Sequence, residues 1–230
     1  DKKINLLENV KIFYKKVKVG DLKDVEGIVA EIIKEGKVPL LLSRGHFPSY
    51  FSIKAVECDK IIVFDAHCDL KDDYVPELIE FDSWGDRNKY NGATWLKRLT
   101  EEIDPKKIIL IGVRSLDEDE LNYMKNKGIT FFTAKMIKEG KHEDYVEKIK
   151  GRVYVSLDMD VFDPSIAPSV DYPEPGGIDF FEFQHIIEKM RAKVIACDLC
   201  CIKPVKSTLV TEFLAIRSIF EILYKNRATS

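Results

Sequence analysis

Six short apolar runs recur along the chain, and none of them alternates strictly between apolar and polar residues. Continuous Val, Ile and Leu is typical of strands that are covered on both faces of a sheet. The pattern therefore predicts six buried strands. They are VPLLLS (38–43), KIIVFD (60–65), KIILIGV (107–113), ITFFT (129–133), RVYVSLD (152–158) and KVIACDL (193–199).

Segments with the spacing of amphipathic helices lie between these runs. Alternating strands and helices are typical of a mainly parallel sheet with helices on both faces. We therefore predict the α/β class, a three-layer α/β/α sandwich, as one domain over residues 1–230. The predicted helices are a first one that Asp21 caps and Gly36 ends, then 93–103, 116–128, 142–150, 179–192 and about 208–226.

Composition excludes several classes of protein. The 230 residues carry 36 Lys and Arg against 39 Asp and Glu, a net charge of −3. No basic excess is available to neutralise phosphates, so we expect no nucleic-acid partner. No run approaches the roughly 20 apolar residues of a membrane helix, and the start of the chain has no apolar signal core. Because five cysteines, an odd number, favour a reducing compartment, we expect a cytoplasmic protein with no membrane partner.

Histidines and carboxylates follow three of the predicted strands at their carboxyl ends. In parallel sheets these ends meet at one edge, where ligands bind. Several carboxylates at one buried edge repel one another unless a cation neutralises them. Oxygen and imidazole ligands suit Mn²⁺ better than a thiolate-rich zinc site, and shared carboxylates allow two ions. The candidate ligands are His46, Asp65, His67, Asp69, Asp158 and Asp160.

Three other features have plainer interpretations beside the chemical ones. The CxxCC cluster at 197–201 could bind zinc or act in redox chemistry, but no second ligand pair is nearby and buried Cys packs as a small hydrophobe. His142 opens a charged segment, so we expect it to be exposed. The long aromatic loop 71–92 is typical of a lid or binding loop, and it makes Trp84 and Arg87 candidate substrate contacts.

The motifs that hold the candidate ligands resemble those of the ureohydrolases, a family that includes arginase, agmatinase and formimidoylglutamase. The Asp-Ala-His-x-Asp motif is present at 65–69, and the Ser-x-Asp-x-Asp-x-x-Asp-Pro-x-x-x-Pro motif at 156–168. PEPGGI (173–178) and IGVRS (111–115) are similar to further family segments. The likeness extends from about residue 38 to the C-terminus.

The resemblance implies an arginase-like fold, two Mn²⁺ ions per subunit and a small-molecule substrate. One ion would be held by His46, Asp65, Asp69 and Asp158, and the other by Asp65, His67, Asp158 and Asp160. Activated water would attack the planar carbon of a guanidinium or amidine group, with Asp69 orienting it as a catalytic residue. Similar proteins form trimers or hexamers, so we expect a homo-oligomer.

The sequence departs from the family pattern at three positions near the candidate ligands. The Gly-Gly-Asp-His motif reads Ser-Arg-Gly-His at 43–46, which keeps His46 and adds Arg44 as a candidate contact for an acidic substrate. The catalytic His of a His-Gly pair is replaced by Asn91, which cannot transfer a proton at neutral pH. Cys201 stands at the Glu of Asp-x-x-Glu-x-x-Pro, where a carboxylate would pair with the substrate guanidinium.

These observations predict a binuclear Mn-dependent hydrolase of a linear guanidino- or amidine-type C–N bond, with a substrate other than arginine or agmatine. The alternative is a metal-binding but catalytically impaired member, a pseudoenzyme or regulatory subunit, which the Asn91 and Cys201 replacements would explain. A deacetylase-like enzyme is a weaker candidate, because those enzymes use a tandem His pair that this chain lacks.

Overall fold

The computed structural model describes residues 22–75 and 84–228. Within these ranges six strands form one sheet in the order β1-β6-β5-β2-β3-β4, and every neighbouring pair is parallel. Each strand coincides with one of the six apolar runs, so the predicted α/β class is confirmed. The strands are β1 (Leu40–Leu42), β2 (Lys60–Phe64), β3 (Ile108–Val113), β4 (Thr130–Thr133), β5 (Lys150–Asp158) and β6 (Arg191–Cys200).

Helices cover both faces of this sheet. In β2, Ile61 and Val63 belong to the core on one face, whereas Ile62 and Phe64 belong to the core on the other. Helices α1 to α4 pack on the first face and α5 to α8 on the second, which confirms the three-layer sandwich. The helices are α1 (Asp24–Lys34), α2 (Pro48–Lys54), α3 (Trp95–Thr100), α4 (Glu118–Lys127), α5 (Ala134–Lys138), α6 (Glu143–Val146), α7 (Phe180–Lys189) and α8 (Val210–Ala228). Among the described residues, no helix combines the length and apolar character needed to cross a membrane.

The structure differs from the predicted helices in two places. Helix α2 has no predicted counterpart, because all of its residues except Lys54 are buried and the segment has no polar face to give helical spacing. The helix predicted at 142–150 is a single turn, since the chain already enters β5 at Lys150. The expected exposure of His142 is wrong, because this residue is buried with its ring 6.5 Å from that of Phe132. The predicted cap Asp21 lies outside the described residues.

Gly112 lets β3 pass closely beside the turn that follows β5. Its φ of +100° is rarely adopted by residues with a side chain, and the pairing of β3 with β4 shifts register around it. A Cβ at this position would overlap Val161 and lie 3.3 Å from the carbonyl oxygen of Asp65. Both neighbours belong to segments that carry candidate ligands, so this glycine permits the close approach of those segments.

We expect Gly112→Ala to lower the free energy of unfolding by about 1–3 kcal/mol, because the methyl group meets both backbone strain and Val161. Gly27→Ala is the matched control, since Gly27 lies inside α1 with open space around it. That control should gain up to about 1 kcal/mol from better helix propensity. Urea unfolding measures both, and equal stability of the two variants would contradict the argument.

Candidate metal centre

Four adjacent strands, in the order β1-β6-β5-β2, deliver side chains to one edge of the sheet. His46 follows β1, and Asp65 directly follows β2. Asp158 is the last residue of β5, where it lies beside Cys200 at the end of β6. Because the strands are parallel, all four carboxyl ends meet there; the sequence predicts this for the three strands that carry the candidate ligands, and β6 is the addition.

One half of the site is built around His46. Its Nδ1 lies 3.1 Å from Asp65 Oδ2, 3.3 Å from Asp69 Oδ2 and 3.2 Å from Asp158 Oδ2. The backbone of Asp69 is left-handed, with φ +53°, and its Oδ2 accepts a hydrogen bond of 2.7 Å from Trp95 Nε1. Three carboxylates therefore converge on one buried imidazole nitrogen.

The other half of the site is built around His67. Its Nδ1 lies 3.0 Å from Asp160 Oδ2 and 3.5 Å from Asp65 Oδ1. Asp160 is held from two sides, because its amide donates to Asp158 Oδ1 and its own Oδ1 accepts from the amide of Ala66. Asp65 thus directs one carboxylate oxygen to each histidine, as expected of a carboxylate shared by two ions.

The ionisation of these groups shows how strongly the carboxylates interact. Burial and repulsion by Asp65 raise the pKa of Asp69 to about 7. Burial, with repulsion by Asp158 and Asp65, raises the pKa of Asp160 well above its ordinary value. Burial opposes the charge on His67, but Asp160 and Asp65 outweigh it and raise the pKa of His67 to about 12. The site therefore strongly favours the binding of positive charge.

A buried polar chain orients His46 from behind. Ser156 Oγ donates its only proton to Asp198 Oδ1 at 2.8 Å, so at its 2.9 Å contact with His46 Nε2 it must accept. Tyr154 OH donates to the other oxygen of Asp198 at 2.7 Å. The imidazole consequently donates from Nε2 to Ser156, which turns Nδ1 toward the carboxylates.

The orienting role of Ser156, Asp198 and Tyr154 was missed from the sequence. The available signal was the presence of Ser156 and Asp198 inside otherwise apolar strand runs, since a buried polar group requires a partner.

The donor set fits divalent metal ions. His46 Nδ1 is buried and has no hydrogen-bond partner among the described residues, although carboxylate oxygens surround it. Bonds of about 2.1 Å to a metal place neighbouring octahedral ligands about 3 Å apart. The separations of 3.0–3.3 Å between the histidine nitrogens and the carboxylate oxygens match that spacing. Two groups, His46 with Asp65 and Asp69, and Asp65 with His67 and Asp160, could each hold an ion.

The side chain of Asn91 forms hydrogen bonds with backbone groups. Its Oδ1 accepts from the amide of Ala93, and its Nδ2 donates to the carbonyl oxygens of Tyr74, Arg87 and Asn88. The side chain thereby caps the turn that leads into α3. These contacts give Asn91 an evident structural role, and its place at the catalytic position of the family's histidine stays a prediction.

The other predicted substrate contacts also have structural partners. Arg44 forms a bidentate ion pair with Asp171, which Lys203 Nζ also approaches at 3.4 Å. Trp84 packs edge-to-face against Phe51 and Tyr90, at 5.5 and 5.7 Å between ring centroids. Exposed Arg87 contributes its carbonyl oxygen to Asn91. Part of the predicted lid loop, 76–83, lies outside the described residues.

The segment 172–174 lies beside the His67 half of the site. Glu174 Oε1 is 3.8 Å from His67 Nε2, and the ring of Tyr172 lies edge-on to the imidazole at 6.4 Å. Arg114 fixes the segment by donating to the carbonyl oxygens of Glu174 and Asp160, both at 2.7 Å. Sequence reasoning passed over Glu174, although PEPGGI was recognised as a family segment.

The thiol of Cys201 reaches the His46 half of the site. The side chains of His46, Asp158, Cys200 and Cys201 each place one potential ligand atom within 4.8 Å of all the others. This agrees with the expectation that Cys201 stands close to the reacting group. Cys197 and Cys200 are both buried in β6, as expected of cysteines that pack as small hydrophobes, and the last two cysteines of the cluster also lie beside His46 and Asp158.

In metal-free protein, we expect Asp69→Asn to be more stable than wild type near pH 7. The wild-type carboxyl keeps its proton up to about pH 7 when folded but loses it near pH 4 when unfolded, so its contribution to stability falls as pH rises through that window. Asparagine does not titrate, so the variant should gain on wild type by a few kcal/mol between about pH 4 and 7.

Urea unfolding with a chelator present measures this difference between wild type and Asp69→Asn. Saturating Mn²⁺ should reverse the order, because the carboxylate is then a ligand. A difference between the two proteins that does not change with pH would contradict the argument.

Comparisons with known proteins agree with this geometry. The family model described as the arginase family matches residues 1–224. An agmatinase of Pyrococcus horikoshii is 29% identical over 210 residues, covering 88% of this chain and 70% of that protein. An N(1)-aminopropylagmatine ureohydrolase of Thermococcus kodakarensis is 32% identical over 178 residues, covering 75% of this chain and 57% of that protein.

The crystal structure of agmatine ureohydrolase of Thermoplasma volcanium has the same fold. It superimposes with a TM-score of 0.77 at 26% identity, over 90% of this chain and 68% of that one. The arginase-like fold is therefore confirmed, together with the family that the sequence motifs indicate. The chain belongs to the arginase family, whose ureohydrolases act on guanidino C–N bonds.

Proposed function

We propose that this protein is a binuclear, Mn²⁺-dependent hydrolase of a guanidino- or amidine-type C–N bond. The observation that carries the proposal is the convergence of carboxylate oxygens on His46 Nδ1 and His67 Nδ1, at distances that suit ligands of two ions. The mixed oxygen and imidazole donors of these two groups support manganese.

Each residue of the site has a role in this proposal. Two bound ions would supply an activated water at neutral pH. Asp65, which directs one oxygen to each histidine, would be shared by the two ions, and the family pattern implies the same for Asp158. Asp69, fixed by Trp95 Nε1, keeps a carboxylate oxygen at the edge of the His46 half, where it can accept a proton from the attacking water.

The proposed substrate is a guanidino or amidine compound other than arginine or agmatine. Cys201 supports this, because the neutral thiol beside His46 and Asp158 replaces the carboxylate that would pair with a guanidinium. Glu174 is a carboxylate outside the candidate ligand set that lies 3.8 Å from His67 Nε2, and it gives a cationic group a different direction of approach.

An acidic substrate has less support. Asp171 already neutralises Arg44 through two hydrogen bonds, so Arg44 brings little net positive charge to the site. The relatives are named for agmatine and N(1)-aminopropylagmatine, which are cationic compounds. We therefore favour a cationic guanidino compound that approaches from the side of Glu174. The trimer or hexamer and the cytoplasmic location remain predictions.

We expect the purified chain, loaded with Mn²⁺, to release urea or ammonia from at least one member of a panel of guanidino compounds, amidines and formimino compounds. A chelator should abolish the release. Asp160→Asn should lower kcat/KM by about 100-fold or more, because losing an ion that stabilises developing charge costs several kcal/mol. Asp104→Asn is the control, since Asp104 is exposed, caps a short helical turn and lies outside the motifs that hold the candidate ligands.

We expect Cys201→Glu to raise kcat/KM for agmatine by about 10–100-fold, because a charge-assisted hydrogen bond contributes about 1.5–3 kcal/mol. Cys201→Gln is the matched control, because it has the same size without the charge and should give no such gain. Urea release under steady-state conditions measures both variants. An equal effect of Glu and Gln would remove Cys201 as the determinant of substrate charge.

A catalytically impaired metal-binding protein is the second candidate function. The engagement of Asn91 with four backbone groups favours it, since the predicted counterpart of the proton-shuttling histidine is occupied elsewhere. Two bound ions per chain with no turnover across the whole panel would support this candidate against the first.

A further inference from the structure

The last two residues of the CxxCC cluster lie where β6 meets the candidate metal centre. Cys200 pairs with Asp158 across β5 and β6, so the two side chains start from neighbouring backbone positions. Cys200 Sγ lies 3.6 Å from Asp158 Oδ2, and the thiols of Cys200 and Cys201 contact each other. Asp158 Oδ2 is also the oxygen that lies 3.2 Å from His46 Nδ1.

These distances fit a tetrahedral ion. Bonds of about 2.3 Å to sulfur and about 2.0–2.2 Å to nitrogen and oxygen place tetrahedral ligands about 3.3–3.8 Å apart. The sulfur-to-oxygen separation of 3.6 Å and the nitrogen-to-oxygen separation of 3.2 Å lie in or close to that range. All four potential ligand atoms lie within 4.8 Å of one another, so a small shift of side chains would close the set around one ion.

The local backbone turns Cys201 toward this set. Its φ is +65°, and among the non-glycine residues that the structure describes only Cys201 and Asp69 have a left-handed φ. Such a conformation is strained for a residue with a side chain. Both strained residues contribute to groups that could hold an ion at the His46 half.

Packing alone does not account for Cys200 and Cys201, as a comparison within the same strand shows. Cys197 is buried in β6, and its thiol contacts the carbonyl oxygen of Pro39 at 3.9 Å. The thiol of Cys200 likewise contacts a carbonyl oxygen, that of Leu157 at 3.8 Å, but the thiols of Cys200 and Cys201 also lie beside a carboxylate and an imidazole. Two sulfurs, one imidazole nitrogen and one carboxylate oxygen form a ligand set that selects zinc-like ions over manganese.

We propose that His46, Asp158, Cys200 and Cys201 form a binding site for a thiophilic divalent ion such as Zn²⁺. Binding displaces the thiol protons to solvent and forms two metal–sulfur bonds. The site shares His46 and Asp158 with the Mn²⁺ pair, so a zinc-like ion excludes Mn²⁺ from the His46 half; this consequence rests on the proposed function. Because four protein ligands leave no open position, the ion bound there is inhibitory.

The direct test uses Cd²⁺ as the probe and the metal-free full chain. We expect about one equivalent of Cd²⁺ to produce the ultraviolet charge-transfer band of a metal–thiolate bond. Cys200→Ser and Cys201→Ser should each weaken this binding by about 100-fold or more. Mutation of a residue that only hydrogen-bonds to a metal ligand already lowers metal affinity by about 10–100-fold. Cys197→Ser is the matched control and should keep the band.

A second measurement uses the unmodified chain, so it does not depend on the folding of a variant. Mass spectrometry after alkylation should show that Zn²⁺ protects Cys201 from a thiol reagent, whereas Mn²⁺ protects it much less. Absence of the Cd²⁺ band in wild type, its persistence when both Cys200 and Cys201 are Ser, or equal protection by the two metals would overturn the site.

Competition between the metals separates this inference from the proposed function. Electron paramagnetic resonance detects Mn²⁺ released from Mn²⁺-loaded protein as Zn²⁺ is added. We expect release of about one Mn²⁺ per chain in wild type and in Cys197→Ser, with much weaker release in the double serine variant. A Cd²⁺ band without Mn²⁺ binding or hydrolysis would leave the thiolate site standing and reject the proposed function. Hydrolysis without the Cd²⁺ band would support the proposed function and reject the thiolate site.

Discussion

The constraint on which the rest of the structure depends is the repulsion among buried carboxylates at one edge of the sheet. Asp65, Asp69, Asp158 and Asp160 converge there with two imidazoles, and burial removes the water that would otherwise screen them. The raised pKa values of Asp69 and Asp160 express this cost. Such a cluster is stable as a set of ligands, because divalent ions convert the repulsion into attraction.

The fold holds this cluster with groups that lie outside the candidate ligand set. Behind His46, Ser156 and Asp198 fix the imidazole and direct Nδ1 toward the carboxylates. On the other side, Arg114 ties the turn after β5 to the segment of Glu174 through carbonyl oxygens. The geometry of the site is therefore set by hydrogen bonds from groups outside the candidate ligand set.

The departures from the family pattern lie around the candidate ligands, and the candidate ligands themselves match the pattern. Cys201, where the family motif predicts a carboxylate, brings sulfur to the His46 half, and Asn91, the predicted counterpart of a catalytic histidine, supports a turn. Arg44 is neutralised by Asp171. The candidate ligands thus match the family motifs while their surroundings differ, which supports the proposal of a shared class of reaction with a different substrate or a different response to metals.

The sequence by itself determined the six strands, the two faces of helices and the six candidate ligands, because strand periodicity and strand ends are local properties of the chain. It did not reveal α2, whose wholly buried residues have no amphipathic pattern. Only the tertiary structure decided that Cys200 lies beside Asp158, that Ser156 links His46 to Asp198, and that Glu174 approaches His67. These contacts join residues that are far apart in the chain. The register between parallel strands brings them together, and that register cannot be derived from the sequence of any single segment.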